Sequence, residues 1–260
     1  MDSSPSRGAR TAIFAQLSGV GRSEQVAQRL TDAILLGVLA PGDRLPSEAE
    51  LAQRFGVALV TAREALSAMR NAGVVETRRG REGGSFVLPA LQAPEALRWA
   101  RLRNLARIDI QDSATYFAVL SAGCSERAAE LASDEESERL RLWVENADFT
   151  AKTSAALNAG GFYLEIAVMS QSPRLVREQI RMQSEFGSLL WLGLADEDLR
   201  RNLVHQNVQI AEAISAHDPE QSRALVRRQL GELSGWLLAA KEKIEQQEES
   251  DGHEEQQATG

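Results

Sequence analysis

The sequence holds one cysteine, three histidines and three lysines among its 260 residues. Each scarcity closes off a class of function. A lone Cys124 excludes an internal disulfide and any Cys-rich zinc site. No N-terminal run is long or apolar enough for a signal peptide or a membrane span, so a cytoplasmic, reduced setting is expected. A surplus of positive charge is also missing, the formal net charge being −8. That deficit is uneven: residues 1–90 carry 11 Arg/Lys against 9 Asp/Glu, net +2, and residues 91–260 carry 18 against 28, net −10. Only the front third can favour phosphate. Affinity for nucleic acid depends on how many cations reach phosphates, so any such function has to be carried by a motif.

What is present organises into two domains, the count expected for this length. Residues 1–20 read as a flexible arm, because the stretch opens with the polar MDSSPSRGAR, and residues 246–260 read as a disordered acidic tail. The segment 89–94 (PALQAP) has proline at both ends, which disfavours a through-running helix and suits a linker. A first domain over 21–88 and a second over 95–245 follow.

In the first domain Ser23 can cap a helix in which Val26, Leu30 and Ile34 recur every four residues, with Gly37 placed to end it. After the turn Pro41-Gly42-Asp43, Ser47 with Glu50 three residues later forms a capping box for a second helix from about Glu48 to Phe55. Gly56 supplies a tight turn into a third helix, about Ala58–Ala72, ended by Gly73. Helix, glycine turn, helix is a DNA-reading unit. On the third helix Ala62, Ala65, Leu66 and Met69 form the apolar stripe; Val60, Glu64 and Ser67 face away, flanked by Thr61 and Arg63. Val74–Arg78 and Ser85–Leu88 then read as strands around the loop Arg79-Gly80-Arg81-Glu82-Gly83-Gly84, a hairpin with a basic tip. Its glycines allow close approach of backbone to phosphate.

These residues resemble the winged helix of the GntR family. The likeness is carried by Ala33-Ile34, Gly37, Pro41-Gly42, Leu45-Pro46-Ser47-Glu48, Leu51-Ala52, Phe55-Gly56-Val57, Arg63-Glu64-Ala65-Leu66, Gly73, and Arg79-Gly80 through Gly84-Ser85-Phe86-Val87. The all-helical remainder resembles the FadR subfamily. The resemblance implies a homodimeric transcription regulator, a repressor by first expectation, that binds a palindromic operator and responds to a small molecule. It implies DNA contacts from Thr61 and Arg63 at the start of the recognition helix and from Arg79 and Gly80 at the wing; neighbouring Arg54, Arg78 and Arg81 are expected to contribute. The chain departs from the family at Ala58, commonly a serine cap, and at Leu59 and Ala49, commonly arginines, so fewer cationic contacts are expected. Some chains with this winged helix carry an aminotransferase-like domain. Lys152, Lys241 and Lys243 have no Gly-rich or strand-turn setting, and the length is too short for that fusion, so no enzyme is expected.

The second domain shows helical periodicity at about 95–105, 112–132, 135–157, 160–170, 173–193, 196–216 and 219–245, a bundle of about seven helices. The fold class is mainly α: three helices and a two-stranded wing, then an all-α bundle. Asn207 falls in the apolar face Leu203, Ile210, Ile214, and Gln229 at the edge of the stripe Val226, Leu230, Leu233, Leu237; buried amides need partners, each other or a ligand. Many FadR-type domains bind a divalent metal in the bundle, and the resemblance puts Ala159, Tyr163, Asn207 and Gln229 at the four ligand positions. This is no metal-ligand set. His205 lies about 200° from the apolar centre of its helix, His217 in a connection and His253 in the tail, so none restores the site. No cofactor and no metal are expected. An effector would be held by burial plus bonds from Tyr163, Asn207, Gln229, Ser121 and Ser125, with a fatty acid or acyl-CoA as the leading class. A small carboxylate effector, or a bundle that only dimerises, are the alternatives.

Overall fold

The computed structural model describes residues 13–14, 21–35, 39, 41–80, 83–88 and 95–258. The arm at 1–20 (apart from Ile13 and Phe14), Gly37, Arg81 and the linker 89–94 lie outside the described residues.

Helix α1 spans Arg22–Leu35. It starts one residue before Ser23, so Ser23 is not its cap: Gly21, at φ 72, turns the chain in, and its carbonyl accepts the Gln25 N–H at 3.0 Å. Helix α2 is Glu48–Phe55, with the full capping box: the Ser47 side chain accepts from the Glu50 N–H and the Glu50 carboxylate accepts from the Ser47 N–H at 2.8 Å. Its exit needs Gly56, at φ 65 in the left-handed region that costs a side-chain-bearing residue free energy. Helix α3 is Leu59–Asn71, and Ala58 at its N-cap provides no side-chain bond. Val26, Leu30, Ile34, Leu51, Phe55, Ala62, Ala65, Leu66 and Met69 are all buried, so the three helices close over one apolar core. Ile13 joins that core and Phe14 packs against Phe55 with ring centroids 5.7 Å apart. Strands β1 (Val75–Arg78) and β2 (Gly84–Val87) pair antiparallel with Val75 opposite Val87 and Arg78 opposite Gly84, and Arg44 adds an isolated bridge to Phe86.

The helical part runs through α4 (Glu95–Asn104), α5 (Arg107–Leu131), α6 (Asp134–Asn146), α7 (Lys152–Met169), α8 (Pro173–Met182), α9 (Glu197–Ser215) and α10 (Pro219–Ala258). Helices α5 and α10 are antiparallel: Ser125 and Ser222 hydrogen bond at 2.7 Å near one end, and Arg107 pairs with Glu245 at 2.6 Å near the other. Cys124 is buried on α5, and desolvation pushes its thiol up to about 12, keeping it un-ionised and unreactive. Among the described residues no helix is long and apolar enough to cross a membrane.

Three stretches differ from the periodicity. The helix expected over 135–157 stops at Asn146, because Asp148 accepts the N–H and hydroxyl of Thr150 at 2.8 and 2.6 Å and turns the chain; α7 then absorbs the segment expected at 160–170. The helix expected over 173–193 is broken by a π turn at Gln183–Gly187, a single turn at Ser188–Leu190 and a 3-10 turn at Trp191–Ala195. Residues 246–258, read as disordered, continue α10 to Ala258. Their Glu- and Gln-rich sequence has no proline to stop a helix, and Arg103 meets Glu248 at 3.0 Å.

The two parts meet where α1 lies against α8 and the π turn. Asp32 is 5% exposed and accepts from Ser184 Oγ at 2.5 Å and from Gln28 Nε2 at 2.6 Å. Burial raises its carboxyl above the ordinary value, an effect that these two bonds oppose. A carboxyl that is raised in the folded chain binds protons more readily there than when unfolded. Its ionisation therefore erodes stability as pH rises from the unfolded value, near 4, through the folded one. Asp32→Asn keeps an oxygen for both donors and removes the charge. We expect its melting temperature to exceed that of the parent chain at pH 7 and to match it at pH 3.5, as read by thermal unfolding across that range. A parent chain more stable than the variant at pH 7 would contradict the assignment.

Candidate nucleic-acid interface and helical-domain core

The residues expected to touch DNA fall into three places. Arg63, on the first turns of α3, is exposed and held by Glu48 of α2, its Nε 2.9 Å from Oε2. Thr61 beside it is half-buried, and Leu59 and Val60, 47% and 57% exposed, form an apolar rather than basic tip. Arg54, near the end of α2, faces a groove of about 600 Å³ between α2, α3 and the wing. Arg44, Arg70 and Thr77 line the same groove, with Arg70 Nη1 3.4 Å from Thr77 Oγ1. The third place is the wing. Arg79 and Gly80 are exposed at its tip, and Gly80 has φ 117. A Cβ on Gly83 would lie 2.5 Å from the Arg78 carbonyl oxygen, so the return strand passes too close for any side chain there. Arg78 lies on the opposite face of the ribbon from Thr77; its guanidinium covers the Phe86 ring at 4.4 Å and bonds Glu76 Oε1.

Arg44 and Arg70 were not among the expected contacts. Arg44 precedes the helix-turn-helix in sequence and reaches the groove only because its backbone pairs with Phe86. Arg70 sits at the far end of α3, beyond the stretch that a sequence reading treats as groove-facing. The groove's acids are occupied: Glu48 by Arg63, and Glu50 by the Ser47 hydroxyl and N–H, which hold its carboxyl below the ordinary range.

In the helical part Tyr163, Asn207 and Gln229 come together. Burial holds the Tyr163 phenol well above its usual range, so it stays protonated and donates to Gln229 Oε1. Gln229 Nε2 donates to Asn207 Oδ1 at 2.9 Å and to the Leu203 carbonyl at 3.3 Å. All three residues are at most 1% exposed, and Asn207 Nδ2 is left without a partner. The two amides thus bond each other. Rings enclose the cluster: Tyr163 stacks on Trp191 with centroids 6.1 Å apart, and Phe117 meets Tyr163, Phe186 and Trp191 at 5.9, 6.3 and 6.3 Å. Trp191 Nε1 donates to Gln183 of the π turn at 3.3 Å, and Gln183 Nε2 donates to the Gly160 carbonyl at 3.1 Å. Neither Gln183 nor Trp191 stands out in sequence, because the π turn that aims them is not periodic. Ser121 and Ser125 lie elsewhere on α5, bonded to Gln179 at 3.2 Å and to Ser222 at 2.7 Å.

A divalent metal does not fit this centre. Ala159 has no donor, Tyr163 is a protonated phenol, and the two amides are neutral and committed to one another. His205 is exposed and contacts Gln209, and His217, at φ 51 in the α9–α10 connection, bonds the Ala129 carbonyl at 2.8 Å. The His253 side chain lies outside the described residues. Among the described residues no group of three His, Cys, Asp or Glu side chains could hold a metal.

Comparison with known proteins bears on both halves. Residues 22–87 match the model described as bacterial regulatory proteins, gntR family, and residues 114–232 match that of the FCD domain. Over 223 residues the chain is 35% identical to a Mycobacterium gastri protein named as the HTH-type transcriptional regulator RmpR, covering 83% of this chain and 80% of that one. It is 26% identical over 191 residues to the Uxu operon regulator of Haemophilus influenzae, covering 70% and 67% of the two chains. A solved structure of a Streptococcus agalactiae GntR protein aligns at TM-score 0.43 and 20% identity over 82% of this chain and 98% of that one. With a winged helix at its front, an FCD domain behind it and a relative matched along most of its length, the chain belongs to the gntR family of bacterial DNA-binding transcription regulators.

Proposed function

We propose that this regulator binds a palindromic operator as a homodimer, in the manner of the FadR subfamily, and represses until an effector reaches its helical half. In this reading residues 21–88 read DNA, residues 95–245 dimerise and sense the effector, and 89–94 link them. The observation that carries the DNA reading is the groove where Arg44, Arg54 and Arg70 converge beside the exposed start of α3. Thr61 and Arg63 contact base edges or phosphates in the major groove, Arg54 approaches the backbone, and Arg78, Arg79, Gly80 and Arg81 present the wing to phosphate. Arg63 exchanges Glu48 for DNA, a small loss because both side chains are solvated. Selection of bound duplexes from a random pool tests the proposal: an inverted repeat should emerge, and a single asymmetric site would overturn the dimeric reading.

The dimer reading rests on α5, where Ile108, Tyr116 and Val119, 68%, 44% and 53% exposed, share one helix face. Val119→Glu should shift the chain from dimer to monomer in sedimentation and weaken operator binding at least about tenfold, because half-sites are then bound singly. An unchanged dimer would remove this face from the interface.

The effector is proposed to be bound without metal, in the ring-walled centre around Tyr163, Asn207 and Gln229, with Ser121 and Ser125 on the neighbouring face of α5. Neutral amides, a phenol and aromatic walls suit an acyl chain with a carbonyl or carboxyl head, a fatty acid or acyl-CoA. The unpartnered Asn207 Nδ2 is the donor for that head group. Native mass spectrometry with elemental analysis tests this: a copurified acyl species supports it, and stoichiometric zinc overturns it.

A further inference from the structure

Among the described residues of the winged helix, the exposed large apolar side chains are Leu59 and Val60, adjacent on the first turn of α3. Single apolar residues scattered on a surface need no explanation, but two together at the leading end of a groove-reading helix call for one. Their directions differ. At about 100° per residue Val60 stands about 170° from the centre of the buried stripe Ala62, Ala65, Leu66 and Met69, and Leu59 about 70° from it. Val60 therefore points straight out of the domain, and Leu59 flanks it on the side of Arg63. Glu64, exposed, and Ser67, half-buried, share the outward face with Val60. None of these three can pair with a phosphate as a cation would, so what the outward face offers DNA is contact with base edges.

Base edges in the major groove are donors and acceptors, except at thymine, which also presents an apolar C5 methyl group. A valine pressed against polar edges strips water from groups that it cannot bond; pressed against a methyl group it buries apolar surface on both partners. Adenine, guanine and cytosine have no such group. We propose that Val60 reads a thymine methyl group in each operator half-site, with Leu59 closing the side of that contact toward the DNA backbone. The inference rests on the reading of α3 as the helix in the major groove, and it adds the base that the tip selects: an A·T pair with its thymine methyl beneath Val60.

The test takes the full chain and a duplex selected from a random pool, and replaces thymidine by deoxyuridine at one position at a time. The replacement removes the C5 methyl group and keeps every hydrogen-bonding atom of the pair. At one position in each half-site it should weaken binding about fourfold, the share of one buried methyl group. Val60→Ala should lose a similar factor on the thymidine duplex and nothing further on the deoxyuridine duplex, as two changes to one contact do. Val60→Ile should keep the difference between the duplexes. Because Val60 is 57% exposed and alanine is the better helix former, Val60→Ala should melt no lower than the parent chain, which separates lost contact from lost folding. A selected half-site without A·T pairs, binding indifferent to deoxyuridine at every position, or a difference that Val60→Ala retains would each overturn the proposal. Failure of the reading beneath it looks different: Arg63→Ala would then bind the selected duplex as tightly as the parent chain, and both would fall. A Val60→Ala chain that keeps its response to deoxyuridine and changes its sedimentation assigns the tip to a protein contact instead.

Discussion

Phe117→Ala should cost about 3–5 kcal/mol of stability and lower the melting temperature by about 10 °C, the largest stability loss expected from one side chain here. Phe117 is fully buried and stands between Tyr163, Phe186 and Trp191, so its removal opens a void that three rings cannot close without leaving their rotamers. It also loosens the stack that orients Trp191 toward Gln183. Val208→Ala, on α9 and 39% exposed, should change stability by no more than about 0.5 kcal/mol. Thermal and denaturant unfolding of both variants would show the difference. A Phe117→Ala chain that melts within about 2 °C of the parent would mean that the bundle is not packed around this residue.

Arg63→Ala should weaken operator binding about ten- to a hundredfold, the largest functional loss from a single change. Which contact is lost shows in the salt dependence. If Arg63 meets a phosphate, affinity falls for every sequence and the salt slope drops by about one; if it meets a base edge, discrimination at one position is relaxed and the slope holds. The reciprocal change is Leu59→Arg. Leu59 is half-exposed at the first turn of α3, so a cation there is expected to tighten binding severalfold and steepen the salt slope by about one. Fluorescence anisotropy on a selected operator across a salt series reads all of these. Arg63→Ala binding as tightly as the parent, with Leu59→Arg inert, would remove the start of α3 from the interface.

The winged helix could be read so far ahead because its signals are local. Ser47 and Glu50 cap α2 through contacts three residues apart, Gly56 is required by one backbone angle, and the stripe Ala62, Ala65, Leu66, Met69 repeats at helical spacing. Asn207 and Gln229 were legible as buried amides for the same reason, although the periodicity left open what they bond. The misreadings have nonlocal or aperiodic causes. The break at Asp148 turns on a side chain that bonds a backbone N–H two residues later, which hydrophobic spacing does not register. The π turn at Gln183–Gly187 shifts the face of every residue after it, so Trp191 reaches Tyr163 by a rotation that no 3.6-residue pattern contains.

From the sequence alone came the winged helix, the helical second half, the resemblance that named the family, and the want of metal ligands at Ala159, Tyr163, Asn207 and Gln229. The two folds follow from caps, turns and periodic burial, which act within a few residues and so are written in order along the chain; the four ligand positions are what the family resemblance implies. Tertiary structure alone decided that Arg44 and Arg70 share a groove with Arg54, that the two core amides bond each other, and that Arg29 and Arg177 line one cleft. Those partners lie between about ten and 150 residues apart, and only the packing of one element on another sets which charges and amides meet.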